Sequence, residues 1–195
     1  MVSMMFVKKV ELDVDAHRPE AFPEPLEGEI IFAGRSNVGK SSLLNAVFGK
    51  EMARTSSEPG KTRSLLFFKV NDLYYFIDFP GYGYAKTSKV ERMKWQSLID
   101  AYFSAKRQIN AIVLLIDSRI PDQRSDLEAF DFFKNMGDVL LVLTKTDKLK
   151  NAEIEKKIKI VEKDFWGARK ILPVSVLRKD GLKDLDGALE EFLKS

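Results

Sequence analysis

The amino-acid sequence predicts an α/β protein with a doubly wound, mostly parallel sheet. The first observation is that short apolar runs, rich in β-branched and aromatic residues, alternate with segments of helical periodicity. The second is that residues 111–117 and 139–145 are almost continuously apolar, which is typical of strands buried on both faces of a parallel sheet. The third is the pair Asn71-Asp72 between two apolar runs, which indicates a tight hairpin and therefore one antiparallel strand pair.

The individual elements follow from these runs in chain order. An alternating run over residues 5–14 is a possible additional edge strand. Six further strands are predicted over residues 29–34, 64–70, 73–79, 111–117, 139–145 and 170–175. Helical spacing is found in SLLNAVF after the first central strand, in Val90, Met93, Ser97, Leu98, Ala101 and Tyr102, and in Leu182, Leu185, Leu189, Phe192 and Leu193. This alternation of strand and helix places helices on both faces of the sheet.

Length and composition indicate one domain of ordinary size. The 195 residues are 45% hydrophobic and 31% charged, so we expect a sizeable core under a well-solvated surface. The sequence contains neither internal repeats nor an evident linker. We therefore expect a single domain over residues 1–195, with residues 1–27 as an N-terminal extension.

The residue types present exclude several kinds of chemistry. There are no cysteines, which excludes disulfides, thiolate metal sites and cysteine nucleophiles. The single histidine, His17, lies in a polar, proline-rich stretch, so we expect it at the surface and not in a serine–histidine pair. The apolar runs are far shorter than the roughly 20 residues that span a bilayer, and no signal-peptide pattern is evident, which predicts a cytoplasmic protein. The formal charge of +3 permits a nucleic-acid partner without arguing for one.

The first central strand leads into a glycine-rich loop. Gly34, four intervening residues, Gly39, Lys40 and Ser41 match a phosphate-binding P-loop in the required strand–loop–helix setting. The glycines allow backbone N–H groups to point at phosphate oxygens, aided by the N-terminus of the following helix. Lys40 would reach the β- and γ-phosphates, and the Ser41 hydroxyl would coordinate Mg²⁺. The alternative, a glycine-rich turn with a serine cap, is disfavoured because the spacing and the context agree.

Two later strand ends favour guanine as the base. The Asp147 carboxylate, at the end of TKTD, can accept hydrogen bonds from N1–H and the 2-amino group of guanine, and adenine offers neither. The alkyl stem of Lys145 can lie over the base. In PVSV, Ser175 and the Val176 N–H follow the last strand, where they could support the base. Alone, TKTD would be interpreted as a solvated loop; downstream of a P-loop it predicts a GTP site.

The segment DFPGYGYAK, residues 78–86, is predicted to be a switch. Asp78 would hold Mg²⁺ through a water molecule, and the Gly81 N–H would meet the γ-phosphate. Thr62, in PGKTRS, would supply a hydroxyl that closes on Mg²⁺ only when a triphosphate is bound; taken alone, it is simply a β-branched residue entering a strand. Segments of this kind are ordered by the γ-phosphate and released after hydrolysis.

The ordered set GRSNVGKSS, PGKTRS, DFPGYG, TKTD and PVSV resembles a translation-factor-related bacterial GTPase. DFPGYGYAK and DSRIPDQRSD specifically resemble the EngB family, within the TrmE-Era-EngA-EngB-like GTPases, over essentially the whole chain. The resemblance implies a three-layer P-loop NTPase fold of the Ras-like type that binds GTP and GDP with Mg²⁺, and we expect a monomer. It also implies a role in assembly of the large ribosomal subunit, and in cell division and septation.

The same resemblance implies the site residues. Nucleotide contacts are expected from Gly34, Arg35, Ser36, Asn37, Val38, Gly39, Lys40, Ser41, Ser42, Gly60, Lys61, Thr62, Arg63, Ser64, Asp78, Phe79, Pro80, Gly81, Thr144, Lys145, Thr146, Asp147, Val174, Ser175 and Val176. Metal contacts are expected from Ser41, Thr62 and Asp78. Lys40, Thr62, Gly81 and Asn37 are expected to act in hydrolysis.

Three positions depart from the general GTPase pattern. Thr144 stands where many GTPases have asparagine, and Val176 stands where alanine is commoner, which leaves guanine binding possible. Tyr82 follows Gly81, where Ras-like enzymes have the glutamine that positions the attacking water, so hydrolysis should be slow. Asn37 matches an asparagine that helps to hold K⁺ in some related GTPases; an equal alternative is that it only tolerates an unusual loop dihedral.

Basic residues surround the predicted switch segments: Lys61, Arg63, Lys86, Lys89, Arg92 and Lys94. A solvated helix face and an RNA contact explain the helical part of this cluster about equally well. With Tyr82 and Tyr84 presented beside these cations, the leading hypothesis is nucleotide-controlled docking on the large ribosomal subunit or its precursor. The alternative is a signalling switch that binds division proteins directly.

Overall fold

The computed structural model describes residues 6–53, 64–83 and 89–194, without the side chains of residues 89–92. The strands are β1 (Val10–Ala16), β2 (Gly28–Gly34), β3 (Leu65–Val70), β4 (Tyr74–Asp78), β5 (Ile109–Asp117), β6 (Val139–Thr144) and β7 (Lys170–Pro173). The helices are α1 (Lys40–Phe48), α2 (Lys89–Ser104), α3 (Arg124–Phe133), α4 (Asn151–Asp164) and α5 (Leu182–Lys194). These elements confirm the predicted α/β class.

The strands form one sheet in the order β1-β3-β4-β2-β5-β6-β7. From β4 to β7 all neighbours in this order pair in parallel, and β3 pairs antiparallel with β4. The predicted antiparallel hairpin is therefore confirmed. The alternating N-terminal run also forms a strand, β1, which adds a second antiparallel pairing, with β3, at the sheet edge. The parallel arrangement brings the carboxyl ends of β2, β4, β5, β6 and β7 to one edge, where ligands bind in such folds.

The hairpin turn between β3 and β4 has left-handed backbone at both central residues. Asn71 and Asp72 have φ angles of 53° and 62°, and the Leu73 N–H donates to the Val70 carbonyl at 3.1 Å. Asparagine and aspartate tolerate this region better than most residues, and the type I′ turn requires it. The Asn71 Oδ1 also accepts the backbone N–H groups of residues 8 and 9, at 2.9 and 3.1 Å. The turn therefore anchors the N-terminal segment as well.

Helices cover both faces of the sheet, as the sequence predicts. On one face α1 and α5 pack against β-strand residues such as Phe32 and Phe76. On the other face α2, α3 and α4 pack against residues such as Ile31 and Leu114. The whole predicted apolar stripe of α5 is buried. Two cores separated by the sheet give a three-layer architecture.

The buried face of α2 differs in part from the prediction. Leu98 and Tyr102 are buried as expected, but Met93 is 64% exposed and Ser97 is also exposed. The buried residues Leu98, Ile99 and Tyr102 lie on the side of the helix that packs against the sheet, where the Tyr102 hydroxyl also donates to the carboxylate of buried Glu29. Apolar spacing alone did not separate this side from the one that carries Met93 and Ser97.

The described part of the predicted N-terminal extension, residues 6–27, contributes to the sheet. They contain β1, and the Pro23 carbonyl accepts a hydrogen bond from Arg107 Nη1 at 2.8 Å. Arg107 also pairs with Glu29 at 2.6 Å, which leaves that buried carboxylate compensated. His17 is exposed, as expected. Among the described residues, no helix has the length and apolarity needed to cross a membrane.

Candidate nucleotide-binding site

The P-loop curls tightly between β2 and α1. A Cβ atom at Gly34 would lie 2.9 Å from Val38 Cγ1 and 3.1 Å from the Leu115 carbonyl, so only glycine fits there. Asn37 and Gly39 both have positive φ, 64° and 107°. The left-handed backbone at Asn37 is the unusual loop dihedral that was one of its two predicted roles. Ser41 and Ser42 lie in the first turn of α1, directly after the loop.

The P-loop lysine pairs with the carboxylate at the end of β4. Lys40 Nζ donates to Asp78 Oδ1, and both side chains are largely buried. Asp78 pairs with Phe32 across the parallel β2–β4 ladder, which places it beside the strand that leads into the P-loop. Burial raises the pKa of Asp78, and the positive charge of Lys40 opposes this. Lys40, which is predicted to bind phosphate, and Asp78, which is predicted to bind the metal, are therefore in direct contact.

The segment after Asp78 lies against the P-loop. Phe79 is an exception, because its side chain is buried among aromatic rings that include Tyr102 and Phe133. Only the backbone of Phe79 is therefore available for the predicted contact with the nucleotide. A Cβ atom at Gly81 would lie 3.0 Å from both the N and Oγ atoms of Ser36, so the backbone approaches the loop closely. This approach is what the predicted role of Gly81 at a phosphate requires.

Tyr82 continues this contact and is not the exposed stacking group that the sequence suggested. Its carbonyl accepts the Ser36 N–H at 3.0 Å, and its N–H donates to the Gly34 carbonyl at 3.3 Å. Its ring is half-buried, and its hydroxyl donates to Asp126 Oδ1 at 2.9 Å. Arg35 Nε donates to both oxygens of the same carboxylate, at 3.0 and 2.9 Å. Sequence reasoning gave Asp126 no role, although it ends DSRIPDQRSD, one of the stretches that resemble the EngB family.

At the end of β6, Thr144 and Lys145 connect the strand to the P-loop. The buried Thr144 hydroxyl donates to the Val38 carbonyl at 2.7 Å. Lys145, whose φ is 60°, donates through Nζ to the Asn37 carbonyl at 2.7 Å and to Asp117 Oδ2 at 2.8 Å. Thr144, which stands where many GTPases have asparagine, therefore connects the end of β6 to the P-loop through its hydroxyl group.

Asp117 is a second site residue that the sequence analysis did not assign. It ends β5 and receives hydrogen bonds from Arg119 Nε and Nη2, at 2.9 and 2.7 Å, besides the one from Lys145. Burial acts against its ionisation, but these hydrogen bonds outweigh it and hold the pKa of Asp117 below its usual range. Its position at a strand end, in DSR, was the available signal.

Asp147 and Ser175, both predicted to lie at the guanine base, are in direct contact. Ser175 Oγ donates to Asp147 Oδ1 at 2.9 Å, and the buried hydroxyl also accepts the Arg178 N–H at 3.0 Å. Burial disfavours the charged form of Asp147, but the hydrogen bond from Ser175 lowers its pKa overall. The Val174 carbonyl accepts the Thr146 N–H at 3.5 Å, which brings the ends of β6 and β7 together. An ionised carboxylate is thereby held in place to accept hydrogen bonds.

The remaining predicted site residues lie either outside the described residues or beside the motifs already discussed. Gly60, Lys61, Thr62 and Arg63 lie outside the described residues, as do Tyr84, Lys86 and the side chains of Lys89 and Arg92. Ser64 is buried at the start of β3, and Pro80 and Val176 are half-buried beside their motifs.

The residues present fit a magnesium ion held mainly by a nucleotide. Within the described ranges, no group of three or more His, Asp or Glu side chains could enclose a metal. Ser41 and Asp78 offer a hydroxyl and a carboxylate, which are oxygen ligands of the type that Mg²⁺ takes. Mg²⁺ commonly uses one or two protein ligands together with phosphate oxygens, so the Ser41 hydroxyl and the Asp78 carboxylate fit this ion.

Comparison with known proteins gives consistent matches. A family model described as 50S ribosome-binding GTPase matches residues 29–145. A probable GTP-binding protein EngB of Kosmotoga olearia is 48% identical over 184 residues, which are 93% of this chain and 97% of the relative. The protein of the same description from Thermotoga maritima is 46% identical over 193 residues, with 97% and 99% covered.

Solved structures share the fold. A crystal structure of a probable GTP-binding protein EngB has a TM-score of 0.72 at 24% identity, over 85% of this chain and 98% of the other. Aquifex aeolicus Era bound to GDP and AlF4⁻ has a TM-score of 0.66 at 25% identity, over 85% and 56%. Era in complex with MgGDPNP and a 16S ribosomal RNA segment has a TM-score of 0.64 at 24% identity, over 88% and 57%.

Proposed function

Because the chain belongs to the EngB family of GTP-binding proteins, we propose that this GTPase is slow and acts as a nucleotide-dependent assembly factor for the large ribosomal subunit. The observation that carries the proposal is the close approach of the Gly81 segment to the P-loop, 3.0 Å from an added Cβ to Ser36. A segment in this place would sense a γ-phosphate and pass the nucleotide state to the surface.

The phosphate end would work through charge and position. Lys40 would neutralise charge on the β- and γ-phosphates, while the backbone N–H groups of the P-loop and of Gly81 would donate to phosphate oxygens. Mg²⁺, when bound, would neutralise the charge that develops on the phosphates during transfer. Ser41, Asp78 and, outside the described residues, Thr62 would hold this ion in place. No side chain in this set has to exchange a proton, so positioning would account for the chemistry.

Hydrolysis would be slow because Tyr82 does not replace the missing glutamine. Its hydroxyl donates to Asp126, and a phenol engaged in this way would not orient an attacking water. A K⁺ ion at Asn37 could supply part of the missing charge. Hydrolysis would then be faster in K⁺ than in Na⁺ at equal ionic strength, and equal rates would reject the ion.

The positive φ of Asn37 dictates which variants test this ion. Asn37→Gly removes the side chain without backbone strain, whereas Asn37→Ala adds strain at this φ. Loss of the K⁺ effect in both variants assigns it to the side chain. Retention of the effect in Asn37→Gly would mean that the residue serves the loop dihedral only.

The large ribosomal subunit or its precursor is the proposed partner in the cytoplasm. Support comes from the matching family model, which is described as 50S ribosome-binding GTPase. Lys94 is exposed on α2, in line with a basic surface that begins in the switch. Contacts to phosphates weaken steeply with salt, so binding through this cluster would do the same.

Co-sedimentation with purified large subunits tests the partner. A non-hydrolysable GTP analogue should strengthen binding relative to GDP, and Lys86→Glu with Lys89→Glu should abolish it while nucleotide affinity is kept. Lys156→Glu with Lys159→Glu is the matched control, since both lysines are exposed on α4 and the charge change is the same. Equal binding of the GDP and GTP forms would reject the switch.

The second candidate is a signalling switch that binds division proteins directly. In this case, the effects on cell division and septation would not pass through ribosome assembly. A variant that loses subunit binding but still supports septation would favour this candidate. Loss of both together would favour the ribosomal role.

A further inference from the structure

Asp126 is a buried carboxylate that joins three separate segments of the chain. It lies in the first turn of α3 and is fully buried. Arg35 from the P-loop donates to both of its oxygens, and Tyr82 from the segment after Gly81 donates to one of them. These partners are 91 and 44 residues away along the chain. No motif of the proposed function uses this contact.

The contact acts on the backbone that approaches the P-loop. Tyr82 forms an isolated parallel bridge with Arg35, made by its carbonyl with Ser36 N–H and by its N–H with Gly34 O. Gly81 directly precedes this bridge, and Gly83, with φ of 78°, directly follows it. The hydrogen bond from its hydroxyl to Asp126 therefore holds the side chain of a residue whose backbone also connects the segment to the P-loop.

Burial of the Asp126 carboxylate favours the position in which Tyr82 lies against it. Its charge must be compensated by hydrogen bonds and a nearby cation, because burial raises the pKa of Asp126 while Arg35 and Tyr82 oppose this. Movement of Tyr82 out of the site would remove one of these donors from a charge that water does not reach. The attached position of the segment is thus favoured over a released one.

We propose that Asp126 is a positioning residue of this GTPase: through Tyr82 and Arg35 it holds the segment containing Gly81 against the P-loop, and so sets the preference for triphosphate over diphosphate. The inference rests on the proposed function, in which Gly81 meets the γ-phosphate. A nucleotide without that phosphate gains nothing from the held segment, whereas a triphosphate does. Weakening the attachment should therefore reduce triphosphate affinity selectively.

Calorimetry with GDP and with a non-hydrolysable GTP analogue tests this inference. Tyr82→Phe removes only the hydroxyl, and we expect affinity for the analogue to fall about tenfold while affinity for GDP stays within about twofold. Asp126→Ala removes the acceptor of both Tyr82 and Arg35 and should weaken the analogue at least as much. The double variant should be no weaker than Asp126→Ala alone, because both single changes remove the hydrogen bond between Tyr82 and Asp126. Tyr75→Phe is the matched control, since its hydroxyl bonds to Asp13 on β1, and it should leave both affinities unchanged.

The outcomes separate this inference from the proposed function. Equal losses for the two nucleotides, no loss in Tyr82→Phe, or additive losses in the double variant would overturn the inference alone, provided that the wild-type protein binds both guanine nucleotides. A wild-type protein that binds neither overturns the proposed function as well. If Asp126→Ala fails to fold, as thermal unfolding would reveal, Tyr82→Phe still decides, because the packing of its ring is kept.

Discussion

The two ends of the candidate site hold their carboxylates in opposite electrostatic situations. At the base end, hydrogen bonds outweigh burial and lower the pKa of Asp117 and of Asp147. At the phosphate end, burial outweighs the paired cation and raises the pKa of Asp78 and of Asp126. Aspartate side chains are thus stabilised in their charged form at the base end. At the phosphate end, burial disfavours that charged form.

This difference indicates how each end is built. The base end is organised by donors from neighbouring strand ends, such as Ser175 and Arg119, and forms without help from the phosphates. The phosphate end depends on single cations, such as Lys40, that face buried charge. We therefore expect base recognition to be rigid, and the phosphate end to respond strongly when one charge is added or removed.

The largest expected effect is at the base end. Asp147→Asn should weaken GTP binding by about 3 kcal/mol or more, because an amide cannot accept from both guanine donors as a carboxylate does. Relative binding of xanthosine nucleotides should improve, since their C2 carbonyl suits an amide donor. Calorimetry checks both, with Asp138→Asn, an exposed aspartate, as the control. Unchanged GTP affinity would contradict the assignment of Asp147.

At the phosphate end, Lys40→Ala should lower the free energy of unfolding by about 2–3 kcal/mol even without nucleotide, since it leaves the buried Asp78 unpaired. Lys148→Ala removes an exposed partner of Asp147 and should cost less than about 0.5 kcal/mol. Urea unfolding at pH 7 compares them. Equal losses would mean that the two ends do not differ in their dependence on single cations.

A smaller effect concerns pH. Asp117→Asn should cost about 1–2 kcal/mol at pH 7, because the donors from Arg119 and Lys145 lose their charged acceptor. The folded pKa of Asp117 is lowered, so its stabilisation is complete above the unfolded pKa of about 3.9 and is lost as the pH falls towards the folded value. The difference between wild type and variant should be constant from pH 7 to 5 and shrink below about pH 4.

The control for this pH series is Asp72→Asn. Asp72 is exposed and pairs with Lys9 at the hairpin turn, and asparagine also tolerates its positive φ. Its substitution should change the free energy of unfolding little at any pH. A difference for Asp117→Asn that grows as the pH falls would have the wrong sign and would contradict the lowered pKa.

The smallest expected effect is that of Thr144→Val. Loss of the hydroxyl leaves the Val38 and Ile116 carbonyls without this donor. We expect the free energy of unfolding to fall by about 1 kcal/mol and nucleotide affinity to fall a few-fold. Thr144→Ser should restore both, since it keeps the donor. Urea unfolding and calorimetry measure the pair. If serine behaves like valine, the methyl group and not the hydroxyl connects β6 to the P-loop.

Local patterns predicted the elements well, and long-range polar contacts poorly. The strand ends that carry Gly34, Asp78 and Thr144 could be placed because apolar runs and turn residues mark where buried strands stop. Tyr82 was misjudged because its environment depends on Asp126, which is 44 residues away, and nothing in the stretch DSRIPDQRSD indicates that the two residues meet. The exposed side of α2 was misjudged for a different reason: Met93 and Ser97 also fit a helical stripe, and the side that faces the core is decided by packing against the sheet.

The Asn71-Asp72 turn has a consequence for which length changes the chain could accept. β4 extends from this turn to Asp78, and side chains alternate between the faces of a sheet along every strand. A one-residue insertion that was absorbed by sliding β4 past β2 would send the carboxylate to the opposite face from Lys40. Surface loops usually accept extra residues at little cost. This one would transmit the change over about 20 Å to the phosphate end, so we expect its length to be as restricted as that of the P-loop.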